Sequence, residues 1–227
     1  MNIKYKLYQF PLCPYSRKVR LFLLEKNINV DVAVENFWEK RENFLAINPT
    51  GQIPVLLCYD GSNSVICDST VICEFLEECH GGIKLIGDDP YSKAESKRIN
   101  LWFDNKFFNE VTKHILYEKV IKYYQNQGSP NLSYLRASKI NLTYHMDYIK
   151  YLLNTRKWLA GNKISLADFS AASHLSVLDY LGHVSWDDHP VVKEWYMLIK
   201  SRPSFTKILQ DNIVGFKPSF NYANLDF

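Results

Sequence analysis

Cys13 and Ser16 are the two side chains in this sequence whose types and spacing indicate nucleophilic chemistry. They flank a Pro-Tyr pair, and Arg17 and Lys18 follow directly. A thiol at the start of a helix meets the positive end of the helix dipole, and neighbouring cations also favour the thiolate. The sequence therefore predicts a reactive Cys13 with a lowered pKa and the Ser16 hydroxyl close by. The alternative is a buried structural cysteine beside a serine at the helix start, since small thiols often lie in protein cores.

The residues around this turn predict a strand before it and a helix after it. Residues 5–10 form a short aromatic-rich run that is typical of a buried strand. Residues 19–24 contain enough apolar side chains for one buried helix face. Pro14 falls in the first helical turn, where a missing N–H is tolerated. We therefore expect Cys13 to lie in a strand-to-helix turn.

The rest of the first 80 residues alternates between strand and helix patterns. After the first helix, the predicted elements are a strand at 30–34, an irregular or helical stretch at 38–47, two strands at 53–58 and 65–67, and a helix that begins at Asp68-Ser69. The order β-α-β-α-β-β-α is typical of a small α/β domain of thioredoxin type. We assign residues 1–80 to this domain.

Strand patterns end at a linker predicted for residues 81–91, and helical patterns fill residues 92–227. The segment from Ser92 to Glu95 has the form of a capping box at the start of a long helix. A second long helix is predicted from residue 133 to 154. The predicted fold class is therefore α/β plus all-α, in two domains.

The clearest local pattern of the second domain lies between Ile164 and Phe169. Ser165 has the position of a helix N-cap, and Asp168 has the position that reaches back to the cap N–H. Ile164 and Phe169 have the spacing of a hydrophobic staple. This pattern predicts the start of a helix and has a structural role.

Composition excludes several classes of function. The net charge of +3 is too small to indicate a nucleic-acid or anionic-membrane partner. Five cysteines without a C-x-x-C pair, and six histidines without ligand spacing, indicate neither a disulfide framework nor a metal site. The amino-terminal residues lack the apolar core of a signal peptide, and no run reaches the roughly 18 apolar residues of a membrane span. We therefore expect a cytoplasmic protein that contains no metal and does not insert into a membrane.

Four motifs in this order resemble the cytosolic glutathione S-transferase superfamily over nearly the whole chain. They are the turn Cys13-Pro14-Tyr15-Ser16 with Arg17 to Arg20, the segment Asn48-Pro49-Thr50-Gly51-Gln52-Ile53-Pro54-Val55, the pair Asp68-Ser69, and the box from Ile164 to Phe169. The resemblance implies the glutathione S-transferase (GST) fold and a homodimer.

The resemblance also implies where glutathione would bind. Pro54 would be cis, so that the backbone of Ile53 pairs with the peptide-like ligand. The helix start at Asp68-Ser69 would hold the γ-glutamyl carboxylate, since helix N-termini bind anions; an ordinary N-cap is the alternative there. Cys13 or Ser16 would lie near the glutathione sulfur. The implied glutathione-binding residues are Gln52, Ile53, Pro54, Asp68 and Ser69.

A narrower likeness is to a bacterial GST-like group that binds the tubulin-like division protein FtsZ and acts as a cell-division adaptor. It rests on Phe10-Pro11-Leu12, on the stretch from Phe37 to Arg41, and on the tail from Tyr222 to Phe227. Cys13 departs from the pattern of that group and matches the cysteine-type transferases. The candidate partner-binding residues are Arg17, Lys18, Trp38, Asp226 and Phe227.

Two functions are therefore expected from the sequence. The first is an adaptor that binds FtsZ filaments. The second is a glutathione-dependent transferase or thiol transferase that acts through Cys13 or Ser16. The aromatic tail after Gly215 leaves two possibilities open: its rings pack on the helical domain, or they form an exposed contact that ends in a free carboxylate.

Overall fold

The computed structural model describes residues 4–59, 61 and 63–225. The chain forms two compact units that meet in sequence between Lys84 and Leu85. No helix in the described part of the chain is long and apolar enough to cross a membrane.

Within its described residues, the first unit has four strands and three α-helices in the predicted order. Its elements are β1 (Lys4–Gln9), α1 (Pro14–Glu25), β2 (Asp31–Val34), α2 (Glu42–Ile47), β3 (Val55–Tyr59), β4 (Ser64–Cys67) and α3 (Ser69–Cys79). A single 3₁₀ turn, Phe37–Glu39, precedes α2.

The four strands form one mixed sheet in the order β2-β1-β3-β4. Strand β1 is parallel to β2 and antiparallel to β3, and β4 returns antiparallel to β3. Tyr5 and Leu7 of β1 are buried, as are Val19 and Phe22 of α1, because alternate strand positions and one helix face supply the core. This arrangement confirms the predicted thioredoxin-like domain.

The second unit is all-helical, as predicted. Its first helical run covers residues 90–124 and consists of α4 (Pro90–Leu101), Trp102–Thr112, α5 (Lys113–Leu116), Tyr117–Ile121 and α6 (Lys122–Tyr124). It is followed by α7 (Leu132–Leu153), α8 (Leu166–Tyr180), α9 (Pro190–Lys200) and α10 (Pro203–Leu209).

The first helical run differs from the prediction at its start. Asp89, and not Ser92, is the N-cap: its carboxylate accepts the N–H groups of Tyr91 at 2.9 Å and Ser92 at 3.2 Å. The Ser92 hydroxyl in turn accepts the N–H of Asp89 at 3.1 Å. The helix begins three residues earlier than expected, because Pro90 suits the first helical position and Asp89 is as good an N-cap as Ser92.

The same run is wider than an ordinary α-helix in two places. The N–H of Lys113 donates to the carbonyl of Phe108, and the N–H of Lys122 donates to that of Tyr117. These i→i+5 bonds are those of a π-helix, which apolar periodicity does not distinguish from an α-helix.

Helix α8 lies in the centre of the second unit, with every residue from Leu166 to Tyr180 buried. The predicted capping box is confirmed, since the Asp168 carboxylate accepts the N–H of Ser165 at 2.9 Å. The same carboxylate accepts the N–H of Leu159 at 2.9 Å and the indole N–H of Trp195 at 3.1 Å. Burial raises the pKa of Asp168 to about 6, against the effect of these hydrogen bonds.

Candidate functional site

Cys13 lies where predicted, at the turn from β1 into α1. It occupies the N-cap position of α1, and its N–H donates to the carbonyl of Phe10 at 2.9 Å. Pro14 takes the first helical position. The Cys13 side chain is buried, and its Sγ lies 4.0 Å from the carbonyl oxygen of Ile53. The turn and the Ile53 segment therefore meet in space although forty residues separate them.

The predicted lowering of the Cys13 pKa is wrong. Burial raises the pKa of the Cys13 thiol, because a thiolate loses its hydration in the protein interior. Hydrogen bonds from Ser16 and Tyr15 and the charge of Arg17 act in the opposite direction but are weaker. The thiol is therefore held in its neutral form, which is the less reactive one.

Ser16 is adjacent to Cys13 as expected and is fully buried. Its hydroxyl accepts the N–H of Phe10 at 3.5 Å, so that it also joins the end of β1 to the first turn of α1. The structure therefore places the two predicted nucleophiles next to each other, and both side chains are buried.

Arg17 and Lys18 were expected to be exposed cations for a partner, and the structure contradicts this. Both side chains are fully buried. The Arg17 guanidinium donates from Nε to the carbonyl of Pro11 at 2.6 Å, and the Lys18 ammonium donates to the hydroxyl of Thr70 at 3.2 Å. The first turn of α1 faces inward. Both cations therefore bind groups inside the unit and are not exposed to a partner protein.

The predicted glutathione-binding segment forms a tight loop before β3. The Ile53–Pro54 peptide bond is cis, as the resemblance implies. Ile53 and Pro54 are buried, whereas Gln52 is exposed. The sequence reading missed the role of Asn48, whose side-chain amide donates to the carbonyl of Gln52 at 2.8 Å. The indication of this role in the sequence was an asparagine directly before a Pro-Thr-Gly turn, since asparagine side chains at turns hydrogen-bond to nearby backbone groups.

Asp68 caps α3 with its own side chain. Its Oδ1 accepts the N–H groups of Thr70 at 2.7 Å and Val71 at 3.2 Å. Asp68 has a φ of +72°, and Ser69 is buried. This geometry is that of the ordinary N-cap considered from the sequence, and it occupies two of the donors that an anion would use. A glutathione carboxylate at Asp68-Ser69 stays a prediction.

Trp38 belongs to an aromatic cluster beside the Cys13 turn. It is half-buried, and its ring packs edge-on against Phe10 at 5.0 Å and Phe37 at 5.1 Å between centroids. Next to this cluster, the buried carboxylate of Glu35 is paired with the Arg41 guanidinium. The other predicted partner residues, Asp226 and Phe227, lie outside the described residues.

The described residues contain no group of three or more histidine, cysteine or acidic side chains placed to hold a metal ion.

Comparisons with known proteins show which sequences and folds this chain resembles. Models of the glutathione S-transferase N-terminal and C-terminal domains match residues 12–79 and 116–212. The chain is 45% identical over 228 residues to FtsZ-localized protein A of Caulobacter vibrioides (strain NA1000 / CB15N), and the match covers 100% of both chains.

Two solved structures are similar over the same extent. FzlA from C. crescentus superimposes with a TM-score of 0.96 at 45% identity, over 99% of this chain and 100% of that one. A glutathione S-transferase from Rhodospirillum rubrum F11 superimposes with a TM-score of 0.94 at 43% identity, over 98% and 100% of the two chains.

Proposed function

Since this chain belongs to the glutathione S-transferase family, we propose that it uses the family fold as a GST-like cell-division adaptor that binds FtsZ filaments. The observation that carries the proposal is the 45% identity, from end to end, with FtsZ-localized protein A. The proposal includes a homodimer that works in the cytoplasm of a bacterial cell.

The chemistry of the turn supports an adaptor more than a thiol enzyme. Cys13 is buried and its pKa is raised, so that little of it is thiolate at neutral pH. Asp68 already occupies two N–H groups at the start of α3. A binding platform needs neither a thiolate nor a free anion site.

The candidate contact residues are revised by the structure. Arg17 and Lys18 are withdrawn because they are buried. Trp38 is retained, since a partly exposed tryptophan supported by two aromatic neighbours is typical of a binding hot spot. Asp226 and Phe227 are retained on the sequence alone.

Co-sedimentation with polymerised FtsZ tests the proposal. The protein is expected to pellet with filaments, and binding is expected to survive both Cys13→Ala and saturating glutathione. Trp38→Ala should weaken binding about tenfold or more if Trp38 is a hot spot. Tyr59→Ala is the matched control, since Tyr59 is an exposed aromatic residue of the same unit.

Removal of residues 224–227 should leave folding intact and reduce action on the division partner.

The adaptor function is excluded if the protein stays in the supernatant at every protein and salt concentration. Raised salt should weaken binding to the extent that charges contribute.

A glutathione-dependent transferase is the second candidate. It is favoured by the adjacency of Cys13 and Ser16 and by the likeness to the glutathione S-transferase of R. rubrum. Calorimetric titration with glutathione tests it, and Ser69→Ala should weaken binding by roughly 1–3 kcal/mol if Ser69 holds the carboxylate. Strong turnover that is lost in Cys13→Ala or Ser16→Ala would make this candidate the function.

A further inference from the structure

The carboxyl-terminal tail is fixed to the second unit by a turn at residues 219–222, which we name the tail anchor. The N–H of Tyr222 donates to the carbonyl of Ser219 at 3.1 Å and closes the turn. The N–H of Ser219 donates to the carbonyl of Tyr180, the last residue of α8, at 2.9 Å. The backbone of the tail is therefore connected to the central helix of the unit.

Tyr222 is the aromatic part of the tail anchor. Its side chain is fully buried, and its hydroxyl donates to the carbonyl of Ile208 in α10 at 3.0 Å. Its ring packs edge-on against Tyr180, with 4.9 Å between the ring centroids. A buried tyrosine whose hydroxyl has a partner adds apolar burial without an unsatisfied polar group. This ring of the tail thus packs on the helical unit, which is one of the two possibilities that the sequence leaves open.

Lys200, the last residue of α9, is the polar part of the tail anchor. Its side chain is fully buried, and its ammonium donates to the carbonyl of Asn221 at 2.7 Å. The same ammonium lies 3.5 Å from the Asp179 carboxylate, which also accepts the indole N–H of Trp186 at 3.0 Å. The charge of the lysine is thus balanced inside the unit, and one of its donors is directed to the tail.

The position of Lys200 is unfavourable for a charge. Burial lowers the pKa of Lys200 to about 8, although the Asp179 carboxylate acts in the opposite direction. A buried ion pair contributes little net stability compared with packed apolar side chains, but it favours the arrangement in which each charged group has its partners. The Asn221 carbonyl is one of these partners. Lys200 is therefore better explained as a residue that selects one position of the tail than as a source of stability.

The tail anchor also limits where a partner of the chain end can bind. Asp226 and Phe227, the contact residues retained from the sequence, follow four and five residues after Tyr222. Because an extended chain spans at most about 3.6 Å per residue, a partner bound to them is held within roughly 18 Å of the tail anchor. The place of such a contact thus depends on what holds residues 219–222.

We propose that Lys200 is a positioning residue for the partner-binding end of the tail: by holding the Asn221 carbonyl, it fixes the place from which Asp226 and Phe227 reach the filament. This inference rests on the proposed function and adds to it a buried residue that does not itself touch the partner. Without Lys200 the end of the tail would have more positions available, and the larger loss of conformational entropy on binding would weaken the contact.

Hydrogen exchange followed by NMR tests the local step. Lys200→Met keeps a long unbranched side chain and removes the donor, so that the Tyr222 N–H should exchange about tenfold faster, as loss of a charged hydrogen bond predicts. Lys217→Met is the matched control, since Lys217 is an exposed lysine of the same tail, and it should exchange as the wild type does. The double variant Asp179→Asn/Lys200→Met removes both charges and should show the same faster exchange, whereas a defect caused only by an unpaired Asp179 carboxylate would disappear in it.

Co-sedimentation with polymerised FtsZ tests the functional step in four chains: the wild type, Lys200→Met, the chain without residues 224–227, and the combination of both changes. Lys200→Met and the removal of residues 224–227 should each weaken filament binding, about threefold to tenfold. The combination should bind as the chain without residues 224–227 does, because a positioning residue has no effect once the segment that it positions is absent. A residue that only stabilises the unit would weaken the shortened chain as well.

The outcomes separate this inference from the proposed function. If the wild type binds filaments and Lys200→Met leaves either the exchange or the binding unchanged, the role of Lys200 is overturned and the adaptor stands. The same holds if removal of residues 224–227 leaves binding unchanged, or if Lys200→Met weakens the shortened chain as much as the full chain. If the wild type itself does not bind, the proposed function and this inference are both overturned.

Discussion

At Cys13, two physical effects act on one thiol in opposite directions. The start of α1 and the nearby Arg17 charge favour the thiolate, and the loss of hydration disfavours it. Burial is the larger effect, since the sulfur is enclosed by its own turn and by the Ile53 segment. The helix start therefore does not activate Cys13, because the sulfur is shielded from water.

Cys13 should react slowly with iodoacetamide in the folded protein. Its labelling midpoint is expected above the free value of about 8.5, because burial raises the pKa. Peptide mass spectrometry after labelling at several pH values gives the midpoint. Cys79 is exposed and serves as the internal control for accessibility to the reagent. A Cys13 midpoint below the free value would show that the helix start outweighs burial.

Glu95 shows how a carboxylate couples stability to pH. Arg98 and Arg156 hold the pKa of Glu95 at about 2, below its ordinary value of 4.5. Arg98 donates to its carboxylate at 2.7 Å and 2.8 Å, and Arg156 donates to it at 2.6 Å. A lowered folded-state pKa contributes stability above pH 4.5, and this contribution is lost as the pH falls toward 2.

Glu95→Gln should lower the free energy of unfolding at pH 7 by about 1 kcal/mol, a value reduced by solvent screening of a partly exposed group. The difference from the wild type should shrink as the pH falls from 4.5 toward 2, because the wild-type carboxylate becomes protonated there. Urea denaturation across this range measures both effects. Glu194→Gln, at an exposed position of α9, is the control. A difference that does not depend on pH would contradict the ion-pair explanation.

At the scale of elements, the start of α8 organises the second unit. The Asp168 carboxylate accepts four hydrogen bonds: from the N–H and the hydroxyl of Ser165, from the N–H of Leu159 and from the indole N–H of Trp195 in α9. The capping motif thus also connects a loop and another helix to α8. Loss of this motif should lower the free energy of unfolding more than loss of an isolated N-cap does.

Ser165→Ala should lower the free energy of unfolding by about 1 kcal/mol, as loss of a helix cap does. Asp168→Ala should cost more, roughly 3 kcal/mol or above, because it leaves several buried N–H donors without an acceptor. Chemical denaturation of the two variants measures both values. Ser133→Ala is the control, since Ser133 is an exposed serine in the first turn of α7. Equal effects of the Ser165 and Asp168 substitutions would show that the carboxylate acts only as a local cap.

At the scale of the whole molecule, one face of α7 carries exposed apolar side chains that are suited to self-association. Ile140, Tyr144 and Tyr151 are 60%, 70% and 69% exposed and recur at spacings of four and seven residues. Such spacing places them on the same side of the helix. An exposed apolar stripe of this kind favours burial against another protein surface.

The homodimer of the proposed function is expected to use this stripe. Tyr144→Glu should shift the sedimentation coefficient from dimer to monomer, because two copies of the charge would meet across a symmetric interface. Leu198→Glu is the control, since Leu198 is 54% exposed on α9. A wild-type protein that is monomeric at all concentrations would contradict the homodimer. A dimer unaffected by Tyr144→Glu would place the interface elsewhere.

The sequence by itself determined the features that depend on residues close together in the chain. The strand and helix order of the first unit follows from apolar periodicity and turn residues, and the Ser165–Asp168 box follows from a spacing of three. The four motifs, taken in order, also identified the family and its fold. The local pattern did not decide the N-cap of α4. Asp89 and Ser92 are both residue types that cap helices, and they lie within one helical turn of each other.

Only the tertiary structure decided which functional side chains face water. Lys18 reaches Thr70 across 52 residues and Cys13 reaches Ile53 across 40, so that the first turn of α1 is closed by segments distant in sequence. Burial then reverses the expected direction of the Cys13 pKa and removes Arg17 and Lys18 from the surface. The position of residues 213–219 was likewise decided by distant contacts, since Tyr180 binds this segment and Gly215 allows it to approach Tyr123 closely. Hydration and electrostatic energy depend on these long-range contacts, which no local pattern of residues specifies.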